Sequence, residues 1–294
     1  MSSVFGKNLK ISIFGQSHSS AIGVTIDGLP AGFKIDTDEL SKFLARRAPG
    51  NSKYATPRKE ADLPEFLSGI VNGCTCGAPL TAVIRNTNTR PGDYSNLADV
   101  PRPGHADFTA NVKYKGFQDP TGGGHFSGRI TAALVAAGAI CYDALEKKGI
   151  VIGSHISRCA GVCDRSFCDI YEDVAKLREA EFPVLDERAG QCMQECILKA
   201  KEEGDSVGGV LETVICGLPA GVGEPWFDTF ESMLSHILFS VPAVKGVEFG
   251  DGFALADMRG STANDPYRVE NGRYITTTNC NGGINGGISN GMPI

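Results

Sequence analysis

The sequence predicts one domain of mixed α/β or α+β class, on three observations. The chain has 294 residues, 41% hydrophobic and 21% charged, a globular balance long enough to bury a core without staples. Strand-like alternation and helical periodicity succeed one another, separated by glycine-rich turns. Glycine supplies 37 of 294 residues, about 12.6% against a norm of roughly 7%, with no three-residue period, and no Pro/Ser linker splits the chain.

The elements follow in order. Leu9–Phe14 and Ile22–Ile26 alternate apolar and polar residues and read as strands flanking the turn Gly15-Gln16-Ser17-His18-Ser19-Ser20. Gly28–Gly32 is a second turn. Asp36, three residues before Glu39, starts a helix with Leu40, Phe43 and Leu44 on one face, stopped at Pro49-Gly50. Leu80–Ile84 is a strand, and Asn86 to His105 is a long turn-rich loop of the kind that carries function. Gly122-Gly123-Gly124 opens another loop, and Ser127 is placed to cap the following helix. Ile130, Leu134, Ala137, Cys141 and Leu145 form that helix's apolar face, and Gly149 ends it. Ile150–Ile156 and Val210–Cys216 read as strands, and Asp186–Glu203 as a helix ended by Gly204. Trp226–Phe239 reads as a helix before Pro242, with Phe227, Phe230, Leu234, Ile237 and Leu238 as a core stripe.

Composition excludes several classes. Net charge is −6, from 28 basic and 34 acidic residues, which argues against a nucleic-acid partner. The start, Met1–Lys7, lacks the apolar region of a secretory signal. The uncharged stretches Leu67–Ile84 and Ile275–Ile294 carry too much Gly, Asn, Thr or Pro for membrane helices. A cytoplasmic chain with no membrane partner is therefore expected, its ten cysteines reduced. Cys74-x-Cys76, Cys159-x3-Cys163-x4-Cys168 and Cys192-x3-Cys196 do not repeat zinc spacings. Buried or incidental thiols and no metal are expected. A thiol or metal protein built on Cys159–Cys168 is the weaker alternative.

Three of the five histidines, His18, His105 and His125, lie in turn-rich loops, where catalytic groups concentrate and an imidazole can exchange protons. His155 and His236 fall in a strand and a helix pattern and read as structural. Lys42, Arg46, Arg47, Lys53, Arg58 and Lys59 lie within 18 residues that contain no acid, and the run crosses a helix stop, so it is not one solvated face. Arginine forks suit phosphate and carboxylate oxygens, and Arg102 and Arg129 add to the same field. The loop Gly122–Arg129 lets backbone N–H groups approach an anion, but it is neither a Walker A loop nor a clear dinucleotide fingerprint. Asn281–Gly291 is similarly dense in glycine. These features point to a small, strongly anionic ligand and leave the reaction open.

The ordered set of segments resembles the chorismate synthase family. The set comprises Phe14–His18, Asp27–Gly32, Arg46–Gly50, Thr56–Glu60, Leu67–Gly69, Arg102–Asp107, Lys113-Tyr114, Gly122–Arg129, Ala243–Gly250, Arg259–Ser261, Asn264-Asp265 and Asn281–Gly291. The resemblance implies an α+β fold of the β–α–β sandwich type and a homotetramer. It implies conversion of 5-enolpyruvylshikimate 3-phosphate to chorismate by 1,4-elimination of phosphate. The reaction needs reduced FMN without net redox change, and NADPH as an external reductant is left open. By similarity His18 protonates the departing phosphate and His105 protonates or stabilises the reduced flavin. Arg47, Lys53 and Arg129 hold the substrate anions. Flavin-binding positions fall on His125, Phe126, Ser127, Pro242, Ala243 and Gly286.

Three features depart from the family pattern. His125-Phe126-Ser127 stands where many members have Arg-Ser-Ser, and Ser19 stands where glycine is usual. The sequence ends at Ile294, so residues 1–294 are expected to form a domain C-terminally incomplete relative to the family. The family's flavin-phosphate segment and the acidic residue assigned to the flavin N5 proton are not among them. The alternative this raises is a catalytically inactive flavin- or anion-binding relative.

Overall fold

Ile22, Val24 and Ile26 alternate along one strand, and Leu80, Ala82 and Ile84 along another. In the computed structural model the triplets pair directly, Ile22 with Ile84, Val24 with Ala82 and Ile26 with Leu80, giving one continuous apolar face. The structure describes residues 3–50, 54, 60–87 and 100–294, and the chain divides into two compact units, Met1–Asp143 and Ala144–Ile294.

The first unit runs β1 (Val4–Phe5), β2 (Lys10–Gly15), β3 (Ala21–Asp27), α1 (Thr37–Arg47) and β4 (Pro64–Ser68). The hairpin β5 (Ile70–Val71) and β6 (Cys74–Thr75) follows, then β7 (Leu80–Arg85), α2 (Asp107–Tyr114) and α3 (Thr131–Glu146). Five strands form one sheet in the order β1-β2-β3-β7-β4, every neighbour antiparallel. Asp36 caps α1, its carboxylate accepting from the N–H groups of Asp38 and Glu39, as the sequence pattern anticipates.

Leu40 and Leu44 of α1 join the apolar sheet face, together with α3. The buried residues of α3 are Ala132, Ala133, Ala136, Ala137, Ala139 and Ile140; of the expected stripe Ile130 and Ala137 are buried, whereas Leu134, Cys141 and Leu145 are only partly buried. Alanine leaves least bulk between a helix and the layer it packs on, so the small residues face the core. By length and composition Gly128–Glu146 is long and apolar enough to cross a membrane, but its alanine face lies in this core.

The second unit runs β8 (Val151–Cys159), β9 (Val162–Cys163), α4 (Ile170–Glu179), α5 (Glu187–Glu202), β10 (Gly209–Cys216) and α6 (Phe230–Leu238). It ends with α7 (Gly260–Ala263), β11 (Tyr267–Glu270), β12 (Arg273–Thr276), β13 (Ile284–Asn285) and β14 (Ile288–Ser289). Its main sheet is antiparallel in the order β10-β8-β9. A side chain at Gly153 would run into Val174, so this glycine lets α4 close on β8. His155 is buried, 2.7 Å from both Asp164 and Glu212 and edge-on to Phe167. Arg165 pairs with both oxygens of Asp173 and holds that buried carboxylate down at about 2.

The expected helix Trp226–Phe239 is corrected. Residues 226–228 form a 3-10 turn with Trp226 left-handed at φ 64°, and α6 begins at Phe230 after the cap Thr229. Its stripe is not core: no α6 residue is buried, and Phe227 is 92% exposed.

Candidate active site

Three successive glycines build the site, and each occupies a conformation that side chains rarely adopt: φ is 60° at Gly122, 87° at Gly123 and 53° at Gly124. None has room for a Cβ. At Gly122 it would run into the ring of His18, and at Gly124 into the carbonyl of Asp119. At Gly123 it would lie 2.8 Å from Cε1 and 2.9 Å from Nε2 of His105. Two imidazoles from distant parts of the sequence thus rest on adjacent residues of one loop.

His18 is carried by the tight connection between β2 and β3. Ser17, buried just before it, donates its N–H to the carbonyl of Gly124 at 3.0 Å, which docks the turn on the glycine loop. Ser19 clips the turn: its hydroxyl lies 3.1 Å from Gln16 N, 2.9 Å from Gln16 O and 2.8 Å from Ala21 O. Asn86 closes it from behind, donating to the carbonyls of Gln16 and Ser19 at 3.1 and 2.7 Å.

His105 ends the loop before α2. Its Nδ1 lies 2.7 Å from Asp107 Oδ1, and Arg102 grips both oxygens of Asp107 from its Nε and Nη2, each at 2.8 Å. The Arg102 guanidinium holds the Asp107 carboxyl far below the usual carboxylate range, against the upward push of burial. A small cavity beside this group is lined by His105, Asp107, Ala110, Asp119, Gly123 and Phe126. Phe126 is 40% exposed and tilts against Tyr114, with ring centroids 6.2 Å apart.

Its neighbours in the loop are engaged differently. Nδ1 of His125 donates to the carbonyl of Gly15 at 2.7 Å, and Nε2 meets Ser3 Oγ at 3.0 Å, so the ring braces the start of the sheet. Ser127 accepts from the N–H of Arg129 at 3.3 Å, the cap the sequence suggests, although it opens a 3-10 turn ahead of α3.

The cationic group gathers around an acid. Asp62 is buried and left-handed at φ 50°. Its Oδ2 accepts from Arg47 Nη1 at 2.7 Å, and its Oδ1 from Arg129 Nη1. Arg47 also donates to Gly128 O at 3.1 Å and Thr131 Oγ1 at 3.3 Å. Arg129, with a side chain 3% exposed, donates from Nε to Asn86 Oδ1 at 3.0 Å. Its Nη2 lies 4.0 Å from Glu60 Oε2 and has no hydrogen-bond acceptor among the described residues. Asn86 therefore ties the His18 turn to Arg129, and Asp62 ties Arg129 to Arg47. Lys53, Arg58 and Lys59 lie outside the described residues.

Pro242, Ala243 and Gly286 belong to the second unit. Ala243 is left-handed at φ 70°, a strained conformation costing about 1–3 kcal/mol. Gly286 and Gly287, at φ 61° and 85°, form the two-residue turn of the β13–β14 hairpin. Asp265 anchors the surrounding glycine-rich segment, accepting from Cys280 N, Asn281 N, Asn281 Nδ2 and Thr278 Oγ1 at 2.8 to 2.9 Å. Burial pushes its carboxyl up, but these donors outweigh it and hold the group at about 2.

Sequence reasoning missed Asn86, Glu60 and Asp62, and gave Asp107 no role. The signal for the acids lay in plain view: Glu60 and Asp62 directly follow the acid-free basic run. The cysteines are all free, and among the described residues no three metal-binding side chains cluster.

The family profile described as chorismate synthase matches residues 9–294. The chain is 42% identical over 290 residues to the chorismate synthase of Thermococcus kodakarensis, covering 98% of this chain and 80% of that one. It is 45% identical over 308 residues to that of Lancefieldella parvula, covering 100% of this chain and 81% of the relative. A crystal structure of chorismate synthase superposes with a TM-score of 0.78 at 28% identity, over 98% of this chain and 82% of the other.

Proposed function

The chain belongs to the chorismate synthase family and its reaction is the synthesis of chorismate, and from that premise we propose how its own residues carry the reaction. The substrate is 5-enolpyruvylshikimate 3-phosphate, and the reaction is a 1,4-elimination of its phosphate. The observation that carries the reading is the placing of His18 and His105 against Gly122 and Gly123 of one loop.

The substrate bears two carboxylates and a phosphate. Arg47 and Arg129, held by Asp62, supply fixed guanidinium forks for these anions, and Arg129 Nη2 keeps an uncommitted N–H face. Lys53 is the third proposed cation. His18 gives a proton to the departing phosphate, and His105 holds or supplies a proton for the reduced flavin.

Reduced FMN is the proposed cofactor. Two features support a flat ring here: the run Gly122–Gly124 without side chains and the exposed Phe126 beside it. When bound it supplies electron density to the allylic system without net redox change. Among the flavin positions in the first unit, the His125 ring and the Ser127 hydroxyl are already engaged by protein groups. We assign the contact there to Phe126 and the main chain. Pro242, Ala243 and Gly286 stand as proposed flavin positions in the second unit. A homotetramer, a cytoplasmic location and NADPH as external reductant belong to the same reading.

Calorimetry tests the anion clamp. Arg47→Ala and Arg129→Ala weaken substrate binding, and added salt weakens it in the native chain. His18→Ala and His105→Ala retain binding and lose about 10²–10⁴-fold in turnover. Full turnover in either histidine variant overturns the assigned roles.

A further inference from the structure

We propose that Asp107 is a positioning residue for the reaction: it fixes His105 as the Nδ1–H tautomer and leaves Nε2 turned toward the triple-glycine loop. The inference rests on the reading of His105 as a proton-handling group.

Two groups reach His105 Nδ1, Asp107 Oδ1 at 2.7 Å and Arg102 Nη2 at 3.1 Å, and the shorter contact, to the carboxylate, sets the arrangement. Its Oδ2 accepts from the main-chain N–H of Arg102 at 2.9 Å and from Arg102 Nε at 2.8 Å. Its Oδ1 accepts from Arg102 Nη2 at 2.8 Å and faces His105 Nδ1 at 2.7 Å. An ionised carboxylate only accepts, so Nδ1 carries the hydrogen. Nε2 is then the ring nitrogen without a hydrogen, with Arg102 Nη2 as a long donor to it at 3.4 Å, and it lies 2.9 Å from the space a Cβ of Gly123 would take. Asp107 is also the first residue of α2, where the helix N-terminus favours a negative charge. The other charged groups on this side are few. Arg102 Nη2 runs along the imidazole at 3.1 and 3.4 Å from its nitrogens, Asp119 lines the same cavity, and His18 rests on Gly122, one residue earlier in the loop.

Arg102 makes the inference testable, because it dictates how an asparagine would sit. In Asp107→Asn the amide oxygen is drawn to the Oδ2 position, because both groups there, the main-chain N–H and Nε of Arg102, can only donate, whereas at Oδ1 the imidazole Nδ1 can change its role. The amide N–H then faces His105 Nδ1, which must become an acceptor, and the ring switches to the Nε2–H tautomer. An analogous substitution in the serine protease triad costs about 10⁴ in kcat through the wrong tautomer.

The test is 15N NMR of the histidine-labelled chain without flavin, the His105 signals being assigned by their loss in His105→Gln. Neutral His105 should be Nδ1–H in the native chain and in Asp107→Glu, and Nε2–H in Asp107→Asn. In parallel, Asp107→Asn should lose about 10²–10⁴-fold in kcat with KM nearly unchanged, and Asp107→Glu should recover part of it. An Nδ1–H ring in Asp107→Asn overturns the inference. A switched tautomer with full turnover upholds the clamp and overturns the role given to His105.

Discussion

His18 and His105 press their imidazoles onto consecutive residues, Gly122 and Gly123, although 87 positions separate them in sequence. The two rings thus meet the loop at Cα atoms one peptide unit apart, about 3.8 Å. The positive φ of Gly122 and Gly123 and their missing side chains make that approach possible.

The first prediction concerns this contact. Gly122→Ala and Gly123→Ala each force a methyl against an imidazole at a positive φ, so turnover should fall at least about 100-fold while the fold persists. Gly138→Ala is the control: it is an exposed helical glycine whose added methyl meets nothing, and it should gain about 0.5–1 kcal/mol in urea unfolding with activity intact. Gly122→Ala at native turnover would show that the contact is incidental.

Asp62 holds two guanidinium groups while its side chain is itself fully buried. Removing it in Asp62→Ala leaves both cations without that partner, and stability should drop by about 3–5 kcal/mol. Thermal unfolding measures the loss. A fall below about 1 kcal/mol would mean that the arginines find other partners or water.

In the second unit, the Asp173 carboxyl is held at about 2 by Arg165, below its ordinary value of 3.8. A depressed carboxylate contributes stability above its unfolded pKa and loses it as pH falls through the folded one. The contribution should be intact above about pH 4 and fade toward pH 2. Comparing urea midpoints across this window, Asp173→Asn should flatten the native slope. An unchanged slope would show that other acids dominate.

Ser19 contributes three short contacts that tighten the turn bearing His18. Ser19→Gly should loosen it, costing about 1 kcal/mol of stability and raising the hydrogen exchange of residues 16–20. Unaltered exchange there would show that Asn86 and the Ser17–Gly124 hydrogen bond secure the turn without it.

Much of this arrangement was legible in the residues themselves. β3, β7 and α1 announce themselves through alternation, apolar spacing and the Asp36 cap, and His18, His105 and Arg129 stand out as polar groups in glycine-rich loops. The pairings did not. Asp62 meets Arg129 across 67 positions, and no local pattern records a contact made by tertiary folding. α3 illustrates a second limit: large apolar residues suggested its buried stripe, whereas close packing selected the alanines. The division into two units was silent for a related reason, since α3 runs through the boundary and no linker marks it. The Trp226–Phe239 periodicity misled because spacing reports which residues share a face, not whether anything covers it.

The most direct measurement is an anaerobic assay of the chain with 5-enolpyruvylshikimate 3-phosphate and reduced FMN, following chorismate absorbance. The predicted result is chorismate formed stoichiometrically with phosphate, abolished or reduced at least about 100-fold in His18→Ala and His105→Ala. A folded chain that binds substrate and reduced flavin yet forms no chorismate would contradict it.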